Sequence, residues 1–273
     1  MTESYEIITV DGVRYIRIPE LLEAGLNHVF TTSDLNMTTT GPDVAERLTT
    51  NLEKVYEAME IYPSQFYFME QRHTDWVSVV DEEELGRKQS FGHRTMGMDG
   101  LITSQHEFAL CSTAADCVPV LLYDPVKKVH ANIHSGWQGT VKKIAQRAIK
   151  NMKLAYDIDP KNLIIGIGPH IAREDYEIQD NVAELYHGVY PNHHEIIFKS
   201  EDGKRTLDLA KAIETTLVNE GVLKENIYNV NLNTYKETEL LHSYRRQADE
   251  VESMAAISSL LQAGEYVEVD EDK

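Results

Sequence analysis

The sequence predicts a mixed α/β (α+β) fold, in which mixed β-sheets are flanked by helices within a single domain. Short apolar runs of strand composition alternate along the chain with segments whose apolar residues recur at helical spacing. No low-complexity linker or internal repeat divides the 273 residues. We therefore predict one domain over residues 1–263. An acidic tail with the sequence GEYVEVDEDK follows over residues 264–273.

The first third of the chain contains a predicted hairpin, a helix and two strands. YEIITV and VRYIRI flank an Asp-Gly turn signal. Apolar residues recur at helical spacing from Pro42 to Ile61. FYFMEQRH and WVSVV have strand composition, and ALCSTAADCVPVLLYDP indicates a strand, a turn and a buried strand that stops at the Asp-Pro pair.

The segment VHANIHSGWQGT predicts a strand, a glycine-rich turn and a helix. Its apolar side chains alternate with His130, Asn132 and His134. Because a strand sends alternate side chains to opposite faces, His134 is expected to point away from the apolar face. The two glycines break the strand, and helical spacing follows from Val141 to Met152.

The remaining third continues the mixture of helices and strands. NLIIGIGPHI indicates a strand that ends at a Gly-Pro turn, and helical patterns span 182–190 and 207–219, the second with Asp208 near its start. IYNVNL is predicted to be a strand, LHSYRRQ a polar loop, and MAAISSLLQ a strand or a short helix.

Composition limits the partners and the compartment. The chain has 26 basic and 45 acidic residues, for a net charge of -19. Such a surface repels phosphate backbones and anionic lipids, so neither nucleic acid nor membrane is an expected partner. The start of the chain is too acidic for a secretory signal, and two cysteines cannot form a disulfide framework. We expect a cytoplasmic protein, monomeric or homodimeric, with free thiols.

Three separated residues are candidate metal ligands. His73 and His134 each end a strand-like run, and Cys117 lies at the start of an apolar strand. Two imidazoles and one thiolate suit Zn²⁺, with Cu²⁺ as a second possibility, and three protein ligands leave a position for water or substrate. The spacing is too long for a zinc finger, and a buried thiol that only fills space is the ordinary alternative.

The turn SGWQGT is a candidate site for phosphate or substrate, since exposed N–H groups at a helix start attract anions. An ordinary turn with Trp137 packed on the core is the alternative. The four candidate residues are Gly136, Gln138, Gly139 and Thr140.

Two further positions suggest catalysis. Arg245 and Arg246 in HSYRR are candidates for a phosphate clamp, although the acidic surface offers them ordinary ion pairs. Asp116, next to Cys117, is a candidate for proton transfer or for capping a turn.

Several segments, taken together, resemble the YfiH-like family, and the resemblance extends from about Gly25 to Leu261. These segments are AADCVPVLLYDP, VHANIHSGWQGT, LIIGIGPHI with DYEI after it, and HSYRR. Its members have been described as multicopper polyphenol oxidoreductases (laccase-domain proteins) and as purine nucleoside phosphorylases. The resemblance implies that His73, Cys117 and His134 bind one metal ion, usually zinc. Cys111 matches no ligand position and is expected in the core.

The resemblance also implies a reaction. It is the phosphorolysis of adenosine, inosine and S-methyl-5'-thioadenosine to free base and a ribose 1-phosphate, with adenosine deamination as a side activity. The partners would be a purine nucleoside and phosphate, with Arg245 and Asp116 as catalytic candidates.

The chain departs from the family pattern at several cationic positions. Ser33 and Gln138 stand where arginines are usual, Asn233 replaces a cysteine, and the closing TGR element is absent. These changes concern phosphate handling and substrate choice more than metal binding.

Three other functions stay open. A copper-dependent polyphenol oxidase would need several coppers and many histidines, whereas His193-His194 is the only close pair among 11 histidines. A cysteine hydrolase would use Cys117 as nucleophile and His134 as base, in a fold resembling that of certain toxin deamidases. A non-catalytic binding module is the third.

Overall fold

A computed structural model describes residues 1–41, 43–59, 65–80, 87–89, 91–248 and 252–261. Pro42, the end of the predicted helix at residues 60–61 and the acidic tail lie outside these ranges. The strands, in chain order, are β1 Thr2–Glu3, β2 Glu6–Val10, β3 Val13–Arg17, β4 Leu26–Thr31, β5 Gln65–Met69, β6 Val77–Val79, β7 Arg87–Gln89, β8 Gly92–Thr95, β9 Gly100–Thr103, β10 Phe108–Ala114, β11 Val118–Asp124, β12 Val129–Ser135, β13 Ile164–Ile167, β14 Glu177–Ile178, β15 Ile197–Lys199, β16 Arg205–Leu207, β17 Ile227–Asn229 and β18 Met254–Leu260. The helices are α1 Pro19–Ala24, α2 Val44–Met59, α3 Trp137–Val141, α4 Ile144–Tyr156, α5 Asp180–Val189, α6 Leu209–Asn219 and α7 Tyr244–Gln247.

Two mixed sheets form the centre of the molecule. In the described residues, one has the order β1-β17-β13-β11-β12-β9-β6 and the other the order β2-β3-β4-β18-β10-β5-β8-β7. A small third sheet has the order β14-β16-β15. Both large sheets contain parallel and antiparallel pairs, so the predicted mixed α/β class is confirmed.

The apolar core is divided into layers by the two sheets. One face of the first sheet packs against α4, α5 and α6, and the outer face of the second sheet packs against α2. A third apolar cluster, including Phe30, Leu121 and Ala256, lies between the sheets. Cys111 is fully buried in the core beneath α2, as predicted.

The alternation in β12 has the predicted consequence. Its apolar residues pack towards the helices, whereas the polar residues face the second sheet. There Ser112 Oγ donates to Asn132 Oδ1 at 2.7 Å, and His130 Nδ1 lies 3.1 Å from Ser258 Oγ. His134 continues this polar row to the end of the strand, where the candidate metal centre begins.

Most predicted elements are present, and two predictions were wrong. The predicted hairpin, β11, β13 and β17 form, and α6 is capped at its start by Asp208, whose carboxylate accepts the Lys211 N–H at 2.8 Å. Of the segment MAAISSLLQ, the residues Met254–Leu260 form the strand β18, which pairs with β10 on one side and β4 on the other. The polar loop LHSYRRQ instead contains α7, because Ser243 Oγ caps it by accepting the Arg246 N–H.

The second wrong prediction is the single helix after SGWQGT. Two helices, α3 and α4, occupy this segment because Lys143 adopts a left-handed backbone with φ of 65° between them. The Lys143 ammonium lies 3.4 Å from the centre of the Tyr190 ring, and this cation–π contact stabilises the break.

Within the described residues, no helix combines the length and apolar character needed to cross a bilayer.

Candidate metal centre

The three predicted ligands lie together at one end of the first sheet. One donor atom each from His73, Cys117 and His134 lies within 4.8 Å of the other two, and His73 Nε2 is 3.8 Å from Cys117 Sγ. The two imidazole rings are 4.9 Å apart and nearly perpendicular. His134 is buried, Cys117 is half-buried and His73 is exposed, so the cluster opens to solvent beside His73.

Strand pairing brings Cys117 and His134 together. In the antiparallel pair β11–β12, Val118 lies opposite Ser135 and Pro119 opposite His134. Cys117 therefore lies next to the turn that follows β12. At Gly136 in this turn, a β-carbon would lie 2.8 Å from Cys117 Sγ and 2.8 Å from His73 Cδ2, so any other residue there would have to displace these side chains.

A constrained loop brings His73 to the same place. Gln71 Nε2 donates to the Thr113 carbonyl at 2.7 Å, and the Thr113 N–H donates to Gln71 Oε1 at 2.8 Å. This double hydrogen bond ties the loop to β10. His73 itself has a left-handed backbone, with φ of 58°, which is uncommon for a residue other than glycine.

A carboxylate that sequence reasoning missed orients His134. The His134 Nδ1–H donates to Asp99 Oδ1 at 3.0 Å, and the His134 N–H donates to the Asp99 carbonyl at 2.7 Å. Burial opposes ionisation of Asp99, but hydrogen bonds from His134 and Thr74 outweigh it and lower the pKa to about 2. In the sequence, Asp99 stands in the segment MGMDG. This segment has no pattern that would indicate a role near a metal ion.

The donor set suits a tetrahedral zinc ion. With Zn–S near 2.3 Å and Zn–N near 2.05 Å, a tetrahedron separates S and N by roughly 3.6 Å. The observed separation of 3.8 Å between His73 Nε2 and Cys117 Sγ is close to this. A carboxylate behind a ligating histidine is also the usual support of a zinc site, and Asp99 provides it.

The cluster also favours the thiolate form that metals bind. Burial works against ionisation of Cys117, but the charge and hydrogen bonds of His134 and His73 outweigh it and lower the thiol pKa to about 6. Burial likewise works against the imidazolium of His134, yet Cys117 and Asp99 raise its pKa to about 9. Without metal, these shifts favour a thiolate–imidazolium pair.

Asp116 and Arg245 meet beside the cluster. Asp116 has φ of 91°, and its carboxylate accepts from Thr234 Oγ1 and from the Arg245 N–H, each at 2.6 Å. The Arg245 guanidinium donates to the Glu177 carbonyl at 3.0 Å and lies 5.2 Å from the centre of the Tyr176 ring. Both oxygens of Asp116 therefore hold neighbouring loops together.

Arg246 has a different environment from Arg245. Its guanidinium donates to the carbonyls of Thr234, Tyr235 and Leu241 at 2.6–2.8 Å. These bonds stabilise the loop that precedes α7, whereas the Arg245 guanidinium contacts Glu177 and Tyr176.

Of the four residues predicted for phosphate or substrate, Gly136 caps α3 and the other three lie within it. Gly136 borders the metal cluster, and Gln138 is half-buried. Gly139 and Thr140 are buried, and Thr140 Oγ1 donates to the Gly136 carbonyl at 2.9 Å. The Thr140 hydroxyl thus stabilises the helix start. Of the four residues, Gly136 lies against the ligands and Gln138 is partly exposed to solvent.

The fold and the site define a mixed α/β protein with a candidate His/Cys/His metal centre. Residues 25–260 match the family model described as multi-copper polyphenol oxidoreductase laccase. Because this match covers most of the chain, the protein belongs to that family.

Two curated relatives carry the name purine nucleoside phosphorylase. The one from Bacteroides thetaiotaomicron is 29% identical over 219 residues, which cover 78% of this chain and 80% of the relative. Purine nucleoside phosphorylase YlmD of Bacillus subtilis is 26% identical over 214 residues, covering 78% of this chain and 77% of the relative.

Two crystal structures have the same fold. YlmD from Geobacillus stearothermophilus gives a TM-score of 0.84 at 24% identity, covering 94% of this chain and 99% of its own. The hypothetical protein YfiH of Bacillus licheniformis gives 0.82 at 24% identity, covering 93% and 98%. The predicted YfiH-like fold is thereby confirmed.

Proposed function

We propose that the protein is a zinc-dependent purine nucleoside phosphorylase that acts on adenosine, inosine and S-methyl-5'-thioadenosine. The observation that carries the proposal is the convergence of His73, Cys117 and His134 in a chain whose relatives are named purine nucleoside phosphorylases. The three residues would hold the ion, and Asp99 would orient His134.

Phosphorolysis transfers a ribosyl group from purine to phosphate. A phosphate oxygen forms a bond to C1' of the ribose, the bond from C1' to purine N9 breaks, and the purine leaves with the bonding electron pair and takes up a proton. When bound, zinc supplies a Lewis acid with an open position for an oxygen of substrate or water.

Arg245 is the proposed phosphate contact of this chain. Its backbone is fixed by Asp116 and its guanidinium by the Glu177 carbonyl, which uses only part of its donor capacity. The start of α3, with Gly136 and Gln138, is the second proposed contact. Proton transfer by Asp116 stays a prediction from the sequence, while its hydrogen bonds support a role in holding Arg245.

Product analysis by mass spectrometry tests the reaction class. Each nucleoside is incubated with zinc-loaded protein, with and without phosphate, beside the variant Cys117→Ser. We expect free base and ribose 1-phosphate (5-methylthioribose 1-phosphate from the thioether) only with phosphate and only in the wild type. Inosine from adenosine without phosphate would indicate the deaminase reaction instead. Oxidation of a phenol by copper-loaded protein would indicate the polyphenol oxidase.

A cysteine hydrolase is the second candidate, because the structure supplies a third residue for it. Cys117, His134 and Asp99 form a thiol–imidazole–carboxylate series, in which Asp99 fixes the imidazole orientation. A covalent acyl adduct on Cys117 of the metal-free protein would support it. Alkylation of Cys117 that zinc blocks, without any acyl adduct, would support the metal centre. The cytoplasmic location and the monomeric or homodimeric state stay predictions.

A further inference from the structure

We infer that Asp99 is the positioning residue of the metal centre, and that its one carboxylate places both histidine ligands around the ion. The inference rests on the metal centre proposed above. It assigns a role to a residue that none of the sequence motifs includes.

The Asp99 carboxylate is fully buried, and both of its oxygens accept hydrogen bonds. Oδ1 accepts the His73 N–H and the His134 Nδ1–H, each at 3.0 Å. Oδ2 accepts the Arg72 N–H at 3.1 Å, the Thr74 N–H at 2.8 Å and the Thr74 hydroxyl at 2.7 Å. Within the described ranges, five N–H and O–H groups donate to this carboxylate, which is the environment that a charged carboxylate requires when buried.

The first consequence concerns the loop that carries His73. Three successive N–H groups, from Arg72 to Thr74, converge on the carboxylate, as in the anion-binding turns that backbone amides form. These hydrogen bonds offset the conformational cost of the left-handed backbone of His73, which has φ of 58°. Without the anion, this conformation loses its support, and His73 Nε2 moves away from Cys117 Sγ.

The second consequence concerns the tautomer of His134. Because Nδ1–H donates to Asp99, Nε2 is the nitrogen left to bind the ion. Asp99 thus acts on both imidazole ligands, on one through its backbone and on the other through its ring. Cys117 is held separately, by the pairing of β11 with β12.

An amide cannot replace this carboxylate. Whichever way the amide of Asp99→Asn is turned, its NH₂ group meets either the two donors on Oδ1 or the three donors on Oδ2. We therefore expect Asp99→Asn to lose the arrangement of the ligands even where the fold persists.

A matched control is Asp124→Asn, since Asp124 is also fully buried and accepts backbone N–H groups, from Val126 at 2.8 Å and Lys127 at 3.0 Å. Asp124 ends β11 at the opposite end from Cys117. Its replacement therefore tests the general effect of removing a buried carboxylate.

The experiment measures the zinc dissociation constant of full-length wild type, Asp99→Asn and Asp124→Asn by competition with a chelator, with thermal unfolding of each metal-free protein recorded alongside. We expect Asp99→Asn to bind zinc about 10–100-fold more weakly and Asp124→Asn to bind as the wild type does. Folded Asp99→Asn with wild-type affinity would overturn the inference. A wild type without zinc affinity would instead refute the metal centre itself, and the role of Asp99 with it.

A second measurement does not depend on the variant folding. The ring nitrogens of His134 in zinc-loaded wild type are observed by ¹⁵N NMR. We expect a protonated Nδ1 and a liganded Nε2, and coordination through Nδ1 would contradict the inference.

Discussion

Gly136 lies directly against Cys117, so that a β-carbon at position 136 would come within 2.8 Å of the Cys117 sulfur. The same β-carbon would lie 2.8 Å from the His73 ring. A side chain at position 136 would therefore have to displace two ligands of the candidate metal centre.

Replacement of Gly136 by alanine is expected to weaken zinc binding at least about 10-fold, because the added methyl group displaces both ligands from tetrahedral positions. Titration with zinc in the presence of a chelator measures this. Gly188→Ala is the control, since a β-carbon there meets nothing within 4 Å; it should keep zinc affinity and gain up to about 1 kcal/mol of helix stability. Equal zinc affinity in both variants would show that the packing at Gly136 is irrelevant to the site.

Cys117→Ser should lose metal and phosphorolysis together, because the thiolate is the softest donor of the three. Zinc content by mass spectrometry and nucleoside turnover are measured on the same preparation. Cys111→Ala serves as the control, since Cys111 is buried in the core beneath α2 and away from the cluster. Full zinc occupancy in Cys117→Ser would refute the ligand assignment.

Gln138→Arg tests whether the start of α3 contacts phosphate. An added guanidinium supplies a bidentate donor to a phosphate oxygen pair, so the KM for phosphate should fall several-fold while the KM for the nucleoside stays constant. Steady-state kinetics with each substrate varied separately distinguish the two. An unchanged phosphate KM would remove residues 136–140 from the proposed mechanism.

His28 predicts a pH dependence of stability. It is fully buried, its Nε2 accepts the Ile18 N–H at 2.9 Å and its Nδ1 lies 3.0 Å from the Leu26 carbonyl. Burial, only partly opposed by the Leu26 carbonyl, lowers the pKa from 6.5 to about 4. Between these two values the unfolded chain binds more protons, so the free energy of unfolding falls as the pH falls.

The expected loss at His28 is about 3 kcal/mol between pH 6.5 and pH 4. Urea unfolding at several pH values measures it for the wild type and for His28→Gln, whose amide keeps a donor and an acceptor. The free energy of unfolding should change less steeply with pH in His28→Gln than in His187→Gln, which replaces an exposed histidine of α5. Identical slopes in all three proteins would disprove the assignment.

Prediction from sequence succeeded where local patterning decides structure. The Asp-Gly turn gave the β2–β3 hairpin, and alternation in VHANIH gave both faces of β12. It failed in LHSYRRQ, where a single capping hydroxyl, Ser243, turns a polar segment into α7. It failed also after SGWQGT, where the ring of Tyr190, the residue that follows α5, stabilises the break at Lys143.

The sequence by itself determined the alternation of strand and helix, the charge of the surface and the donor chemistry of His73, Cys117 and His134, because these follow from residue type and from spacing along the chain. Only the tertiary structure decided how the three donors are arranged, that Asp99 supports two of them, and that Gly136 leaves them room. The physical reason is that sheet register sets which remote residues become neighbours. A buried carboxylate such as Asp99 acquires its role from donors that converge on it only in the folded protein.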